Sequence, residues 1–169
     1  MPPVHRRLSW LHLGWLAIVW VAFVGAIDGH CDICDLDQSR FLVSNYDRRE
    51  AFSSSRGTIT TNSSALRIQI QKDGNFVLVD LIHNKPIWAS MKFCRSMYSI
   101  FAIMQKDGNL VVYCKNRGKY PIWASQTSLQ GTGPYCAALS DDRARYGLSV
   151  YDATCKLLWR SNVKPPSNS

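Results

Sequence analysis

Two blocks of the chain repeat the same polar residues at the same spacing, and these residues are well suited to bind a ligand. Both blocks contain Gln-Lys-Asp-Gly-Asn, at positions 71–75 and 105–109. Alternate residues of a β-strand point to the same face, so the strand after the turn presents them together with the Gln and Asp of the turn. In the second block the side chains that share this face are Gln105, Asp107, Asn109, Val111 and Tyr113.

These side chains offer a carboxylate, two amides, a phenol and one apolar surface. The combination suits a neutral ligand rich in hydroxyl groups, because each sugar hydroxyl needs both a donor and an acceptor. It does not suit glycoside hydrolysis, which needs two carboxylates on either side of one bond, whereas each block has a single Asp. The four His form no evident Ser-His-Asp or Cys-His arrangement. We therefore predict a binding protein without catalytic residues.

Asp73 and Asp107 also have a purely structural interpretation. Asp-Gly-Asn is a common turn sequence, in which Gly supplies a positive φ while Asp and Asn bond to their own backbone. A calcium loop fits poorly, because neither block has the alternating oxygen ligands and the final Glu of that motif. We predict no metal and no cofactor, and for each Asp taken alone turn chemistry remains the alternative to ligand binding.

The two blocks belong to a longer internal repeat, which indicates the elements that position them. Each block leads to an identical Pro-Ile-Trp-Ala-Ser, at 86–90 and 121–125, and a third, degraded copy ends near residue 161. Alternating apolar residues before the Asp-Gly-Asn turn and a Val-rich strand after it predict a β-hairpin. Hairpins cannot bury a face alone, so three repeats indicate an all-β, closed threefold arrangement. Each repeat is predicted to place one tryptophan at the centre of this threefold arrangement, namely Trp88, Trp123 and Trp159.

The N-terminal sequence predicts secretion. His5-Arg6-Arg7 precedes an uncharged apolar run from Leu8 to Ala26, which is typical of a signal peptide at residues 1–26 with cleavage after Ala26. The run is also about as long as a spanning helix, so an uncleaved signal anchor is the alternative. Both interpretations place the remainder outside the cytosol, in the medium or, along the same pathway, in the vacuole. After cleavage we predict no membrane-spanning segment.

Charge and cysteine content indicate which partners and which cellular compartment suit the protein. Twenty Lys and Arg against twelve Asp and Glu give a net charge of +8, but the basic residues are scattered, so we predict no nucleic-acid binding. Six cysteines suit an oxidising compartment. Cys31-Asp-Ile-Cys34 could be a redox pair or half a zinc site, yet without a second such pair structural disulfides are favoured. Asn62-Ser63-Ser64 makes Asn62 a candidate for glycosylation.

The pattern Gln-x-Asp-x-Asn-x-Val-x-Tyr at 105–113 matches in every position the mannose-binding motif of the bulb-type plant lectins, the snowdrop or monocot mannose-binding family. Pro-Ile-Trp-Ala-Ser is also typical of that family. The chain resembles it over residues 38–163, preceded by a cysteine-containing segment at 27–37 and followed by a tail at 164–169. The resemblance implies a β-prism II fold: three four-stranded antiparallel sheets with pseudo-threefold symmetry. It also implies reversible, metal-free binding of α-mannose by dimers or tetramers.

The resemblance assigns a role to each residue of the second block. Asp107 and Asn109 would hold the axial 2-hydroxyl of mannose and Gln105 the 3-hydroxyl. Tyr113 would hold the 4-hydroxyl, and Val111 would lie against the ring carbons.

The other two repeats depart from this motif. The first block has Val79 in place of Tyr, so we predict a weakened site formed by the residues that remain: Gln71, Asp73, Asn75 and Val77. In the third repeat, counting back from Tyr151 places four other residues at the motif positions, Arg143, Arg145, Gly147 and Ser149, so we predict a lost site.

The cysteines also depart from the family, which commonly has one disulfide within a sheet unit. Cys114 and Cys136 are candidate partners of each other. Cys31 and Cys34 are candidates to fix the N-terminal segment to Cys94 or Cys155, or to link two chains covalently. The sequence does not choose among the pairings.

We expect a secreted, mannose-specific lectin that recognises high-mannose glycans, with a role in defence. Its avidity would come from several sites on a homodimer or higher oligomer. The alternative is a lectin scaffold that has lost sugar binding and acts through protein–protein interaction. The degraded third repeat and Val79 favour this alternative, and the intact second block opposes it.

Overall fold

The computed structural model describes residues 31–35, 41–43, 52–53, 58–94, 100–115 and 118–167. The predicted signal peptide, its cleavage after Ala26 and the alternative anchor lie outside these residues. One short helix and twelve strands are formed within them: α1 Asp32–Asp35, β1 Phe41–Val43, β2 Phe52–Ser53, β3 Ile59–Thr60, β4 Leu66–Ile70, β5 Phe76–Asp80, β6 Lys85–Ala89, β7 Ile100–Met104, β8 Leu110–Lys115, β9 Lys119–Ala124, β10 Cys136–Ser140, β11 Gly147–Tyr151 and β12 Leu157–Arg160.

The strands form three antiparallel sheets of four strands each. We call them the first-repeat sheet (β3-β4-β5-β6), the second-repeat sheet (β2-β7-β8-β9) and the third-repeat sheet (β1-β10-β11-β12). Three consecutive strands of each repeat form most of its sheet, and β1, β2 and β3 complete one sheet each. The predicted all-β fold with three four-stranded antiparallel sheets is confirmed.

The three predicted tryptophans meet at the centre of the molecule. The ring centroids of Trp88, Trp123 and Trp159 lie 5.5, 5.6 and 5.3 Å apart in their three pairs, at interplanar angles of 71–76°. This edge-to-face arrangement is favoured for aromatic rings. All three pack against the main core, as predicted, and are partly exposed.

Each repeat fastens its last strand to its middle strand in the same way. A serine at the end of the repeat accepts a hydrogen bond from the backbone of the middle strand at 3.0–3.1 Å. The backbone N–H of the same serine donates to a carbonyl of that strand at 2.8–2.9 Å. The serines and their partners are Ser90 with Phe76, Ser125 with Leu110, and Ser161 with Leu148.

The third repeat has a longer first turn than the other two. Met104 pairs with Leu110 across β7 and β8, and Leu139 pairs with Leu148 across β10 and β11. Residues 105–109 connect the first of these pairs, whereas residues 140–147 connect the second, so the third turn is three residues longer. The predicted positions of Gly147 and Ser149 are confirmed, but those of Arg143 and Arg145 are wrong because they assumed turns of equal length. Ser140, and not Arg143, occupies the position of Gln105.

The six cysteines form three disulfides within the chain, namely Cys31–Cys155, Cys34–Cys136 and Cys94–Cys114. The predicted pairing of Cys114 with Cys136 is wrong. Cys114 lies in the main core with the inward face of β8, whereas Cys136 lies in a separate cluster on the outer face of β10. Cys114 therefore points into the core from the second-repeat sheet, whereas Cys136 points away from the core on the third-repeat sheet. Cys31–Cys155 is one of the predicted alternatives, and Cys34–Cys136 is not.

The short helix α1 is held to the third repeat by two of these bonds. Cys31 and Cys34 each pair with a different strand region, so Cys31-Asp-Ile-Cys34 is structural, as the sequence favoured. All six cysteines are used, which leaves none for the covalent dimer considered from the sequence. Asn62 is exposed in the turn before β4, and its glycosylation stays a prediction. The described residues contain no helix that is long and apolar enough to cross a membrane.

Candidate ligand-binding site

The second-repeat sheet carries the predicted cluster on its outer face. Leu110 and Val112 of β8 are buried in the main core, so the alternate residues Val111 and Tyr113 point to the other side. Gln105 follows β7, and its Nε2 donates a hydrogen bond to the hydroxyl of Tyr113 at 2.7 Å. The turn between β7 and β8 and the strand after it therefore bring the predicted side chains to one face.

Asp107 is held from two directions. Its Oδ1 accepts a hydrogen bond from the backbone N–H of Asn109 at 3.1 Å, which is the turn chemistry considered as an alternative. Its Oδ2 accepts a hydrogen bond from Ser128 Oγ at 2.7 Å. Ser128 belongs to the β9–β10 loop, residues 125–135, so contacts beyond the turn itself orient this carboxylate. Leu129 of the same loop donates its backbone N–H to the carbonyl of Asp107 at 2.6 Å.

Asn109 is oriented by the same loop. Its Oδ1 accepts hydrogen bonds from Ser125 Oγ at 3.2 Å and from the backbone N–H of Thr127 at 3.3 Å. The hydroxyls of Ser125 and Thr127 are themselves 2.7 Å apart and buried. Because the amide oxygen is used on the protein side, the two N–H groups of Asn109 Nδ2 are left as donors to a ligand.

An aromatic and a cationic group frame the end of the cluster at Tyr113. The ring of Tyr113 stacks on Phe101 of β7, with centroids 5.5 Å apart and an interplanar angle of 24°. Lys119 Nζ lies 4.0 Å from the centroid of the Tyr113 ring, within the range of a cation–π contact. Val111, at 2% exposure, is the most buried member of the cluster.

Ser125, Thr127 and Ser128 belong to the site but lie outside the repeated motif. Ser125 ends the repeated Pro-Ile-Trp-Ala-Ser, so its recurrence was a usable signal. Thr127 and Ser128 gave none, because they lie in a loop whose path depends on the fold.

The first repeat reproduces only part of this arrangement. Asp73 Oδ1 accepts from the backbone of Asn75 at 3.0 Å, and Asn75 Oδ1 accepts from Ser90 Oγ at 3.1 Å. The backbone bond from Cys94 to Asp73 corresponds to the bond from Leu129 to Asp107, which places Phe93 at the position of Ser128. Asp73 and Gln71 are exposed, and no side chain of the described residues holds Asp73 Oδ2.

The third repeat has no room for the amide of the motif. Gly147 occupies the position of Asn109 and has a φ of +106°. A Cβ atom there would lie 2.5 Å from Ser161 Oγ and 2.6 Å from Val163 Cγ2. The space used by an asparagine side chain in the other two repeats is therefore occupied.

One buried carboxylate secures the β9–β10 loop. Burial raises the pKa of Asp152, but hydrogen bonds to its carboxylate have the larger combined effect and lower the pKa below its ordinary value. These bonds come from the side chain of Thr154 and from the backbone of Lys156, Thr132 and Thr154. The bond from Thr132, at 3.2 Å, joins Asp152 to the loop that carries Ser128. Among the described residues, no group of three His, Cys, Asp or Glu is placed to hold a metal ion.

No protein-family model matches the chain, and no curated protein sequence matches it. Among solved structures, the mannose-specific agglutinin of snowdrop (Galanthus nivalis) bulbs, complexed with methyl-α-D-mannoside, is 37% identical, with 66% of this chain and 88% of the agglutinin covered and a TM-score of 0.52.

Two further plant lectins have the same fold. A lectin from garlic (Allium sativum) is 28% identical, covers 66% of this chain and 92% of its own, and has a TM-score of 0.52. A monomeric monocot mannose-binding lectin from Gastrodia elata is 26% identical, covers 74% and 98%, and has a TM-score of 0.58. Given the identity to the snowdrop agglutinin over most of that protein, the chain belongs to the bulb-type mannose-binding lectin family and is a carbohydrate-binding lectin, not an enzyme.

Proposed function

We propose that this lectin binds α-mannose and high-mannose glycans through its second repeat. The observation that carries the proposal is the oriented cluster of Gln105, Asp107, Asn109 and Tyr113 above Val111. Asp107 and the amide of Asn109 are held by the β9–β10 loop before any ligand arrives, so little conformational entropy is lost on binding. The snowdrop agglutinin, which is complexed with methyl-α-D-mannoside, supports the choice of sugar.

The three repeats have unequal roles in this proposal. The first repeat forms a weaker site, because Val79 lacks the hydroxyl of Tyr113 and Phe93 stands at the position of Ser128. The third repeat binds no mannose, because Gly147 replaces the amide and Val163 occupies its space. With one strong site per chain, avidity for a glycan surface depends on a dimer or a higher oligomer.

Calorimetric titration with methyl α-mannoside tests the proposal. We expect saturable binding at about one strong site per chain. The affinity of that single site is expected to be low, since a shallow polar site exchanges water contacts for similar contacts. Asn109→Asp removes the donors of Nδ2 and is expected to abolish binding, whereas Tyr113→Phe removes one hydroxyl and weakens it. Asn62→Asp is a control outside the cluster and leaves binding unchanged.

A folded protein that gives no heat up to tens of millimolar sugar would contradict the proposal. That result would favour the alternative function, a lectin scaffold that acts through protein–protein interaction.

We also propose that the protein is secreted and serves in defence. The apolar run before Ala26 and three disulfides, which suit an oxidising compartment, support secretion. N-terminal sequencing of protein from the medium of expressing plant cells is expected to begin at Ile27. Retention of the protein in the membrane fraction with its first residues intact would instead indicate a signal anchor.

A further inference from the structure

The loop after β6 places two large apolar side chains in solvent beside the first block. Met91 is 67% exposed and Phe93 is 56% exposed. The loop is bonded to the turn of that block at two points. The backbone N–H of Met91 donates to Asn75 Oδ1 at 3.0 Å, and that of Cys94 donates to the carbonyl of Asp73 at 2.6 Å. The two apolar side chains therefore adjoin the polar cluster of the first repeat.

Each of these two residues takes the place of a polar residue in the second repeat. Met91 corresponds to Gln126, and both have a positive φ, of 51° and 65°. Phe93 occupies the position of Ser128, whose Oγ contacts the carboxylate of Asp107 at 2.7 Å. The phenylalanine side chain therefore leaves the backbone at the point where the second repeat contacts its carboxylate.

The polar centre of the first repeat is kept nevertheless. Gln71 and Asp73 are exposed. Asn75 Oδ1 accepts a hydrogen bond from Ser90 Oγ at 3.1 Å, as Asn109 Oδ1 does from Ser125, so its amide nitrogen is left to donate to a ligand. The groups that suit sugar hydroxyls are thus present in both repeats.

The edge of the first-repeat site has become apolar around this centre. Val79 in place of a tyrosine completes the change, so that three polar side chains of the second repeat are replaced by apolar ones. A single exposed apolar residue is ordinary on a protein surface, but three such exchanges around one polar cluster indicate a ligand with an apolar part.

The second repeat also exposes one apolar side chain in its loop, which differs in position. Leu129 is 85% exposed, but it follows Ser128 and corresponds to Cys94, not to Phe93. Ser128 keeps the polar contact to the carboxylate there. Only the first repeat therefore has an aromatic ring at the position that faces the acid of the motif.

We propose that the first repeat binds a mannoside with an aromatic aglycone. The sugar lies on Gln71, Asp73 and Asn75, and the aglycone lies against Phe93 and Met91. Aromatic rings pack favourably on one another, and the sulfur of methionine makes favourable contacts with them. This inference rests on the proposed sugar binding by the first repeat. It gives that repeat a ligand of its own in place of a weaker version of the second site.

The side-chain amide signals of Asn75 in proton–nitrogen correlation NMR spectra report on this site. The folded Asn109→Asp variant, which lacks the second site, is titrated with methyl α-mannoside and with 4-nitrophenyl α-mannoside. We expect about tenfold tighter binding of the aromatic mannoside. Equal affinities for the two mannosides would overturn the inference. 4-Nitrophenyl β-galactoside carries the same ring on another sugar and is expected not to bind. If it bound as well as the aromatic mannoside, the ring alone would be recognised and the inference would be wrong.

A substitution copied from the second repeat tests the aromatic ring in the same background. Phe93→Ser is expected to remove the preference for the aromatic mannoside without weakening the binding of methyl α-mannoside. Ile82→Ser removes another exposed apolar side chain, at the opposite end of β5, and is expected to keep the preference. A preference that survives Phe93→Ser, or that Ile82→Ser also removes, would contradict the role of the ring.

The reverse background shows whether the preference belongs to the first repeat. The Asn75→Asp variant leaves only the second site, and we expect it to bind both mannosides with equal affinity. A preference there would assign the effect to Leu129 and overturn the inference. Failure of this inference is distinct from failure of the proposed function. If the Asn75 signals do not shift in Asn109→Asp while the unmodified protein binds methyl α-mannoside, only the inference about the first repeat is wrong.

Discussion

At the scale of single residues, the mannose site proposed in the second repeat depends on side chains outside its motif. Ser128 and Ser125 orient a carboxylate and an amide that the motif supplies, through bonds of 2.7 and 3.2 Å. The motif was readable from the sequence because turn and strand periodicity place its residues on one face. The loop contacts were not, because residues 125–135 reach Asp107 only through the folded path of the chain.

Removal of the Ser128 hydroxyl is expected to weaken the proposed mannose site. Ser128→Ala leaves Asp107 Oδ2 without its partner, and the carboxylate must then be ordered by the sugar at a cost of about 1 kcal/mol. We expect affinity for methyl α-mannoside to fall about fivefold in a calorimetric titration. Ser128→Thr keeps the hydroxyl and should retain affinity, and equal losses in both variants would contradict this role.

The first repeat offers the reverse experiment, a gain of binding. Val79 lies opposite Arg67 where Tyr113 lies opposite Phe101 in the second repeat. The double variant Val79→Tyr with Arg67→Phe rebuilds the stacked pair and its hydroxyl. We expect the number of strong mannoside sites per chain to rise from about one to about two. Val79→Phe with Arg67→Phe supplies the rings without the hydroxyl and is expected to leave that number unchanged.

At the scale of elements, the repeated turns determine which face of each strand is outside. The identical turns at 71–75 and 105–109 made two hairpins predictable from the sequence. The third turn, at 140–147, has its own length, which depends on the pairing of β10 with β11. The disulfide partner of Cys136 could not be predicted either. The sequence Cys-Ala-Ala-Leu-Ser does not reveal which alternate residues of β10 face inward.

The turn of the second repeat requires glycine at position 108. Gly108 has a φ of +88°, and a Cβ atom there would lie 2.8 Å from the ring of Tyr135. Gly108→Ala is therefore expected to lower the free energy of unfolding by more than about 1 kcal/mol, through backbone strain and the close contact. Chemical denaturation measures the change, with Gly118→Ala, at an exposed position before β9, as the control. Equal stability of the two variants would contradict the requirement.

At the scale of the whole molecule, the three repeats are joined by their tryptophans and by the loops between sheets. Trp123→Ala removes one corner of the triangle, with its contacts to Trp88 and Trp159, and is expected to cost about 3–5 kcal/mol of stability. Thermal or denaturant unfolding of the purified protein measures the loss. Tyr120→Ala truncates an exposed ring on the same strand and is expected to cost much less. Similar losses in the two variants would argue against a shared core.

Acid is expected to release the β9–β10 loop. Because the pKa of Asp152 is lower in the folded than in the unfolded chain, its ionised form adds stability above the ordinary value of 3.8. That stability is lost as the pH falls through the lowered pKa of the folded state. We expect the denaturation midpoint to fall steeply below about pH 4, and Asp152→Asn to flatten this dependence. An equally steep fall in the variant would assign the acid sensitivity to other groups.

The tryptophan triangle also gives the protein an optical signature. Three indole rings with centroids 5.3–5.6 Å apart are close enough for their electronic transitions to mix. Their ring planes are inclined to one another by 71–76°, so we expect the mixing to produce paired circular-dichroism bands of opposite sign. In a chain cleaved after Ala26 these three are the only tryptophans, because the other three precede the cleavage site. The couplet therefore reports the packing of tryptophans from different repeats against one another, which the fluorescence of a single ring cannot do.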